Sequence, residues 1–299
     1  MSAPARPSLL PNLPRRRAAL GLLSAPLLGA LAAQATAQTP APPRLVTVSG
    51  AITEVVYALG AESQLVGTDT TSLFPAAALQ TPKVGYMRQL SAEGLLSLRP
   101  DALIATTEAG PPVVIDQVRS AGVRVELIQA DHSWAEVQRK VQAVGRAAAR
   151  EGRARELQAR LDGEWAGVQR EVARAQRRPP RVLFILSHSA SPQVAGTQTA
   201  ASAMIGLAGG LNVMGAFAGY RPMTAEAMAS AAPDVIVTTT QGLDAQGGAE
   251  KFWQRPELAL TPAYRRRALV AMDALLLLGF GPRLPAAVRE LHDKMVAGA

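Results

Sequence analysis

Gly85-Tyr86-Met87-Arg88 sets a phenol two residues from a guanidinium, and Gly219-Tyr220-Arg221 sets the same pair one residue closer. A phenol ionises near pH 10 and a neighbouring cation favours its anion, so Arg88 can offer Tyr86 both a charge and a hydrogen bond. The competing reading of Tyr86 is a packed loop aromatic whose hydroxyl caps a backbone group. Three histidines are available. His188 ends an apolar run where a side chain can face a ligand or simply form a turn, His132 reads as the start of a helix, and His292, beside Asp293 and Lys294, reads as solvated. There is no cysteine, which excludes disulfides, thiolate ligands, a Cys nucleophile and a lipidated cysteine. Hydrolytic motifs of the G-x-S-x-G or H-E-x-x-H kind are also missing. Ser187 and His188 are adjacent, and successive side chains of an extended strand point to opposite faces, so they make a poor nucleophile and base. An exported hydrolase is therefore a remote alternative, and the chain reads as a protein without catalysis.

The Tyr-Arg pairs belong to a longer duplication. Gly85-Tyr86, Arg88, Ala92-Glu93, Ser97, Pro100-Asp101 and Thr106-Thr107 return about 133 residues later as Gly219-Tyr220, Arg221, Ala225-Glu226, Ser230, Pro233-Asp234 and Thr238-Thr239. Solenoid units run to roughly 20 to 50 residues, so this spacing implies two similar lobes instead. In each half Ser91 or Thr224 is placed to cap a helix beginning at Ala-Glu, and Pro-Asp leads into a β-branched strand. Leu45–Val48, Leu65–Gly67 and Arg181–Leu186 read as strands, and Ile52–Leu59 and Thr199–Leu207 as helices. Such βα alternation predicts an α/β fold of two pseudo-symmetric lobes with mainly parallel sheets, whose ligands bind beyond the carboxyl ends of the strands.

Residues 1–37 read as a cleavable signal peptide: Arg15-Arg16-Arg17, an apolar run from Ala18 to Ala33, and Ala35-Thr36-Ala37 as the cleavage site. The arginines loosely resemble a twin-arginine signal, so the export route stays open. An uncleaved anchor is the alternative, although the run is short of the roughly 20 apolar residues that a spanning helix needs. Residues 38–43 form a Pro-rich leader with disorder expected, 44–132 the N-terminal lobe, 133–177 a linking helix and 178–299 the C-terminal lobe. Val137, Val141, Val144, Leu157, Leu161, Trp165 and Val168 keep a helical stripe through the linker, with Gly152 and Gly163 its weakest points. A coiled-coil seam is the rival reading of that stripe, but it is short and irregular, and a monomer is expected. The net charge of +8 includes four arginines of residues 1–37, which leaves about +4, too mild to imply nucleic acid.

Two such lobes on a long helix behind a signal peptide resemble the helical-backbone class of substrate-binding proteins, which serve ABC importers of cobalamin, siderophores and haem. Val84-Gly85-Tyr86-Met87-Arg88-Gln89-Leu90-Ser91-Ala92-Glu93-Gly94 is most similar to the haem-binding branch. The resemblance implies a periplasmic carrier of ferric haem that delivers it to an inner-membrane ABC permease dimer. Tyr86 would be the axial ligand, since a phenolate suits hard ferric iron, with Arg88 supporting it. It also implies His188 as a second-lobe ligand, opposite the Tyr or on a second stacked haem. Tyr220 would pack on the ring, and Arg221 and Arg283 would meet the propionates. Glu93 and Glu226 would dock on the two permease subunits, although a first-turn carboxylate also serves the helix dipole. Met87, Met204, Met214 and Met223 are pocket candidates for which core filling is the commoner role. The same fold carrying cobalamin or a ferric siderophore is the alternative.

Overall fold

The structure, a computed structural model, describes residues 41–175, 178–187 and 192–298. The signal-peptide reading and the expectation for His188 lie outside them. The chain begins with strand β1 (Leu45–Val48), helix α1 (Gly50–Ala58), β2 (Leu65–Thr68), α2 (Ala92–Ser97), β3 (Ala102–Thr106), α3 (Pro112–Ser120) and β4 (Arg124–Ile128). These strands form one parallel sheet in the order β2-β1-β3-β4. Both faces are covered. Leu45, Ala102 and Ile104 face a core shared with α1, whereas Val46, Leu103 and Ala105 face Leu95, Ile115 and Val118 of α2 and α3. The central strands β1 and β3 read as nearly continuous apolar runs because neither face meets water, whereas the edge strand β4 carries Arg124 and Glu126.

Helices α4 (Trp134–Ala147) and α5 (Glu151–Ala175) follow. The linking segment reads as one long helix weakest near Gly152 or Gly163, and it is two helices divided just before Gly152. Ala149 takes a left-handed φ of 53°, and the amide of Arg150 donates back to the Gly145 carbonyl at 2.8 Å. That is a Schellman stop with alanine where glycine is usual, three residues before Gly152. Gly145 also lets the helices close together, because a Cβ there would meet the Ala154 Cβ at 2.5 Å. The 25-residue α5 runs from one core to the other, and α4 reaches both as well, with Val137 in the second and Val141 and Val144 in the first. Ala154, Leu157 and Leu161 of α5 pack in the first core, and its Trp165, Val168 and Val172 in the second.

The second half contains β5 (Arg181–Leu186), β6 (Gln193–Ala195), α6 (Ala200–Leu207), β7 (Leu211–Asn212), β8 (Tyr220–Pro222), α7 (Ala225–Ala231) and β9 (Val235–Thr239). It continues through α8 (Thr240–Ala245), α9 (Gly248–Trp253), α10 (Pro262–Arg266), β10 (Leu269–Met272), α11 (Ala274–Leu278) and α12 (Leu284–Gly298). Strands β10, β9, β5 and β7 are parallel, and β6 and β8 extend the sheet antiparallel from β5. His292 departs from expectation. It lies on the α12 stripe with Val288, Leu291 and Met295, is 8% exposed, and holds the Ala208 carbonyl through Nδ1 at 2.9 Å.

Two charged groups, Lys140 and Glu54, each buried, bond across the halves. Lys140 of α4, 1% exposed, pairs with Glu136 at 2.6 Å and donates to the carbonyls of Gly279 at 3.0 Å and Phe280 at 2.9 Å. Glu136 in turn accepts from the amides of Asp131 and His132. Glu54 of α1 takes a two-pronged grip from Arg283, with Nε at 2.8 Å and Nη2 at 2.7 Å. Between them Gly281 comes so close to α1 that a Cβ would meet Ala51 Cα at 3.3 Å. Removing one partner of a buried pair leaves an uncompensated charge, so Lys140→Met is expected to cost about 3–5 kcal/mol in denaturant unfolding. Glu136→Gln combined with Lys140→Met should recover part of that loss.

Candidate functional site

The Tyr86 loop is built by alternation. Met87 and Leu90 are buried in the first lobe's core beside Leu95, while Tyr86 is 41% exposed and Arg88 is turned outward with it. Gly85 has a φ of 103°, which a side chain would resist, and the Gln89 amide closes a turn on the Tyr86 carbonyl at 2.8 Å. Because Tyr86 and Arg88 are two residues apart and the residue between them is anchored inward, their side chains share one side. Arg88 Nη1 donates to the Tyr86 hydroxyl at 2.8 Å, and Nη2 donates to Glu108 at 2.6 Å.

Glu108 is a member of the site that sequence reasoning did not single out. It is the first charged residue past the carboxyl end of β3, and the rule that placed ligands at strand ends would have found it. Burial works against the Arg88 cation, but its bonds to Tyr86 and its attraction to Glu108 outweigh that and raise its pKa.

Tyr220 occupies the edge strand β8, paired with Ala195. Burial and the Glu108 carboxylate raise its phenol above the ordinary value of 10.0, and Arg88 partly opposes them. A phenol of the second lobe thus lies within electrostatic reach of the first lobe's Arg88 and Glu108. The echo stops there. Tyr220 and Arg221 are adjacent on a strand and diverge, and the Arg221 guanidinium lies 4.5 Å over the Phe217 ring, not on the Tyr220 hydroxyl. The residue missing between Tyr and Arg therefore decides which tyrosine has a cation at its oxygen.

Arg283 is engaged within the protein. Two of its nitrogens hold Glu54, and its guanidinium lies 3.8 Å from the Phe74 ring centre, so its fork is taken up by the protein itself. Arg221 makes no ion pair among the described residues and keeps its fork free. Met87, Met204 and Met214 are core residues, and Met223 packs partly buried against the second core. Glu93 and Glu226 are exposed in the first turns of α2 and α7, behind the caps Ser91 and Thr224, each of which accepts an amide at 3.3 Å.

Residues 45–275 match the family described as periplasmic binding protein. The periplasmic heme-binding protein BhuT, solved in complex with two hemes, is 45% identical with a TM-score of 0.82 over 86% of this chain and 98% of that one. An uncharacterized ABC transporter substrate-binding lipoprotein, YvrC of Bacillus subtilis (strain 168), is 27% identical over 85% of this chain and 80% of its own length. A vitamin B12-binding protein of Vibrio cholerae is 29% identical over 27% of this chain and 30% of its own. Among the described residues, no helix is long and apolar enough to cross a membrane.

Glu54 supplies a test of this geometry by pH. Burial raises its carboxyl above 4.5, and the hydrogen bond and charge of Arg283 pull it back only in part. The native state therefore holds the Glu54 proton more tightly than the unfolded chain, and that contribution is lost as pH rises from 4.5 through the raised value. Unfolding measured across this range should show wild-type stability falling relative to Glu54→Gln and then levelling. A flat or rising difference contradicts the assignment.

Proposed function

The chain belongs to the periplasmic binding protein family, and from that premise we propose that it is a haem carrier that takes up ferric haem through the Tyr86 phenolate. The observation that carries this reading is the half-exposed Tyr86 hydroxyl held at 2.8 Å by Arg88. Ferric iron favours hard anionic oxygen, and a cation already bonded to the phenol oxygen stabilises the form that ligates. A packed loop aromatic would have its hydroxyl on backbone, whereas this one is met by a guanidinium anchored to a carboxylate. The likeness to BhuT over nearly all of that protein's length favours haem over cobalamin, for which the likeness covers about a quarter of this chain.

Tyr220 packs on the porphyrin from the second lobe, and Arg221 meets a propionate with its free fork. Arg283 is left out of the contact set because Glu54 occupies it. A second ligand from His188 remains part of the proposal. The cargo is delivered to an ABC permease dimer through Glu93 and Glu226, which are exposed, duplicated, and unpaired by any cation among the described residues. The carrier works in the periplasm as a monomer after cleavage at Ala37. Unlike the lipoprotein relative, it has no cysteine to carry a lipid.

Ferric haem titrated into the mature protein should give a saturable phenolate-type spectrum. Tyr86→Ala should weaken binding about a hundredfold, the size of a contact of about 2.7 kcal/mol, and abolish that spectrum. Unchanged affinity and spectrum in Tyr86→Ala would remove the ligand assignment. Glu93→Ala with Glu226→Ala should leave haem binding intact and abolish stimulation of the permease ATPase in reconstituted vesicles.

A further inference from the structure

Arg88 has a long, freely rotating side chain, and half of it is exposed. Nothing in the Tyr86 loop alone fixes its guanidinium against the phenol. The group that does so comes from another element: Glu108, on the turn after β3, takes Nη2 at 2.6 Å while Nη1 reaches Tyr86. The two loops carrying these residues are stitched by backbone. The Gly110 amide donates to the Met87 carbonyl at 2.9 Å, and the Leu90 amide donates to the Gly110 carbonyl at 2.9 Å. On its other side the Glu108 turn is held by the Thr107 amide on the Ile128 carbonyl at 2.9 Å. Glu108 is therefore set by the sheet itself, at a fixed place relative to residues 86–90.

As a contribution to stability the pair is minor. Arg88 and Glu108 are 49% and 40% exposed, and an ion pair that open contributes about 0–1 kcal/mol. Its consequence is orientation: one fork nitrogen taken by Glu108 leaves the neighbouring nitrogen aimed at the phenol oxygen. Among the described residues Tyr220, which lacks such a carboxylate-anchored cation, has no donor on its hydroxyl.

We propose that Glu108 is a positioning residue for the ligand oxygen: it holds the Arg88 fork so that Nη1 stays on Tyr86 when ferric haem arrives and leaves. This rests on the haem reading above. Its hydrogen-bonding role separates from its charge, because glutamine keeps an oxygen that accepts from Arg88 and alanine does not.

The test is a set of variants, Glu108→Gln, Glu108→Ala, Arg88→Ala and the double Glu108→Ala/Arg88→Ala, read in two states. In the haem-free protein, nitrogen NMR of the guanidinium should resolve the hindered Arg88 Nη signals in wild type and Glu108→Gln and lose them in Glu108→Ala. In the ferric-haem complex, Glu108→Ala should shift the phenolate-to-iron charge-transfer band and speed haem loss about tenfold, the weight of one charge-assisted hydrogen bond. Glu108→Gln should stay near wild type. The double variant should lose haem no faster than Arg88→Ala, because both changes remove the same contact. Wild-type behaviour of Glu108→Ala in both states, or effects that add in the double variant, would overturn the proposal. If the protein fails to bind haem at all, the haem reading falls, and the haem-free NMR still decides whether Glu108 holds Arg88.

Discussion

A buried ammonium joins the halves of this molecule. Taking Lys140 out of water is costly, and burial lowers its pKa against the opposing pull of Glu136 and, farther off, Glu108 and Glu54. Such a charge persists only where partners surround it, and here the partners come from both sides: Glu136 one turn back on α4, and the carbonyls of Gly279 and Phe280 from the second half. The Glu54–Arg283 grip closes the same seam from α1. Separating the halves would strip Lys140 of its two carbonyls and Glu54 of Arg283, which opposes their parting. A site that is already assembled loses little freedom on binding.

The site follows from that constraint. One lobe supplies a phenol with a cation and a carboxylate behind it, and the other supplies a phenol that feels both charges without touching either. The duplication in the sequence gives two tyrosines, and a single residue of spacing makes them unequal. Two residues of separation across a buried methionine put Tyr86 and Arg88 on one side. One residue of separation on a strand sends Tyr220 and Arg221 apart and leaves Arg221 over Phe217.

Local patterns were legible. The strand at Leu45–Val48, the caps Ser91 and Thr224, and the sheet of mainly parallel strands all follow from alternation, capping chemistry and βα order. What escaped depends on contacts that spacing does not encode. The break between α4 and α5 was legible near Gly152, but its seat is Ala149 in a left-handed conformation, and His292 is buried because α12 turns it toward Ala208. Glu54 and Arg283 stand 229 residues apart, so no pattern in the chain announces that Arg283 is already occupied. Glu108 was the recoverable omission, since its place at the end of β3 needed only the strand to be recognised.

A crystal structure of the ferric-haem complex tests the central claim most directly. Iron is expected bonded to Tyr86 Oη, with Arg88 still bridging Tyr86 and Glu108 and with Tyr220 against the porphyrin. Haem seated on another ligand, with Tyr86 turned away from the iron, would contradict it.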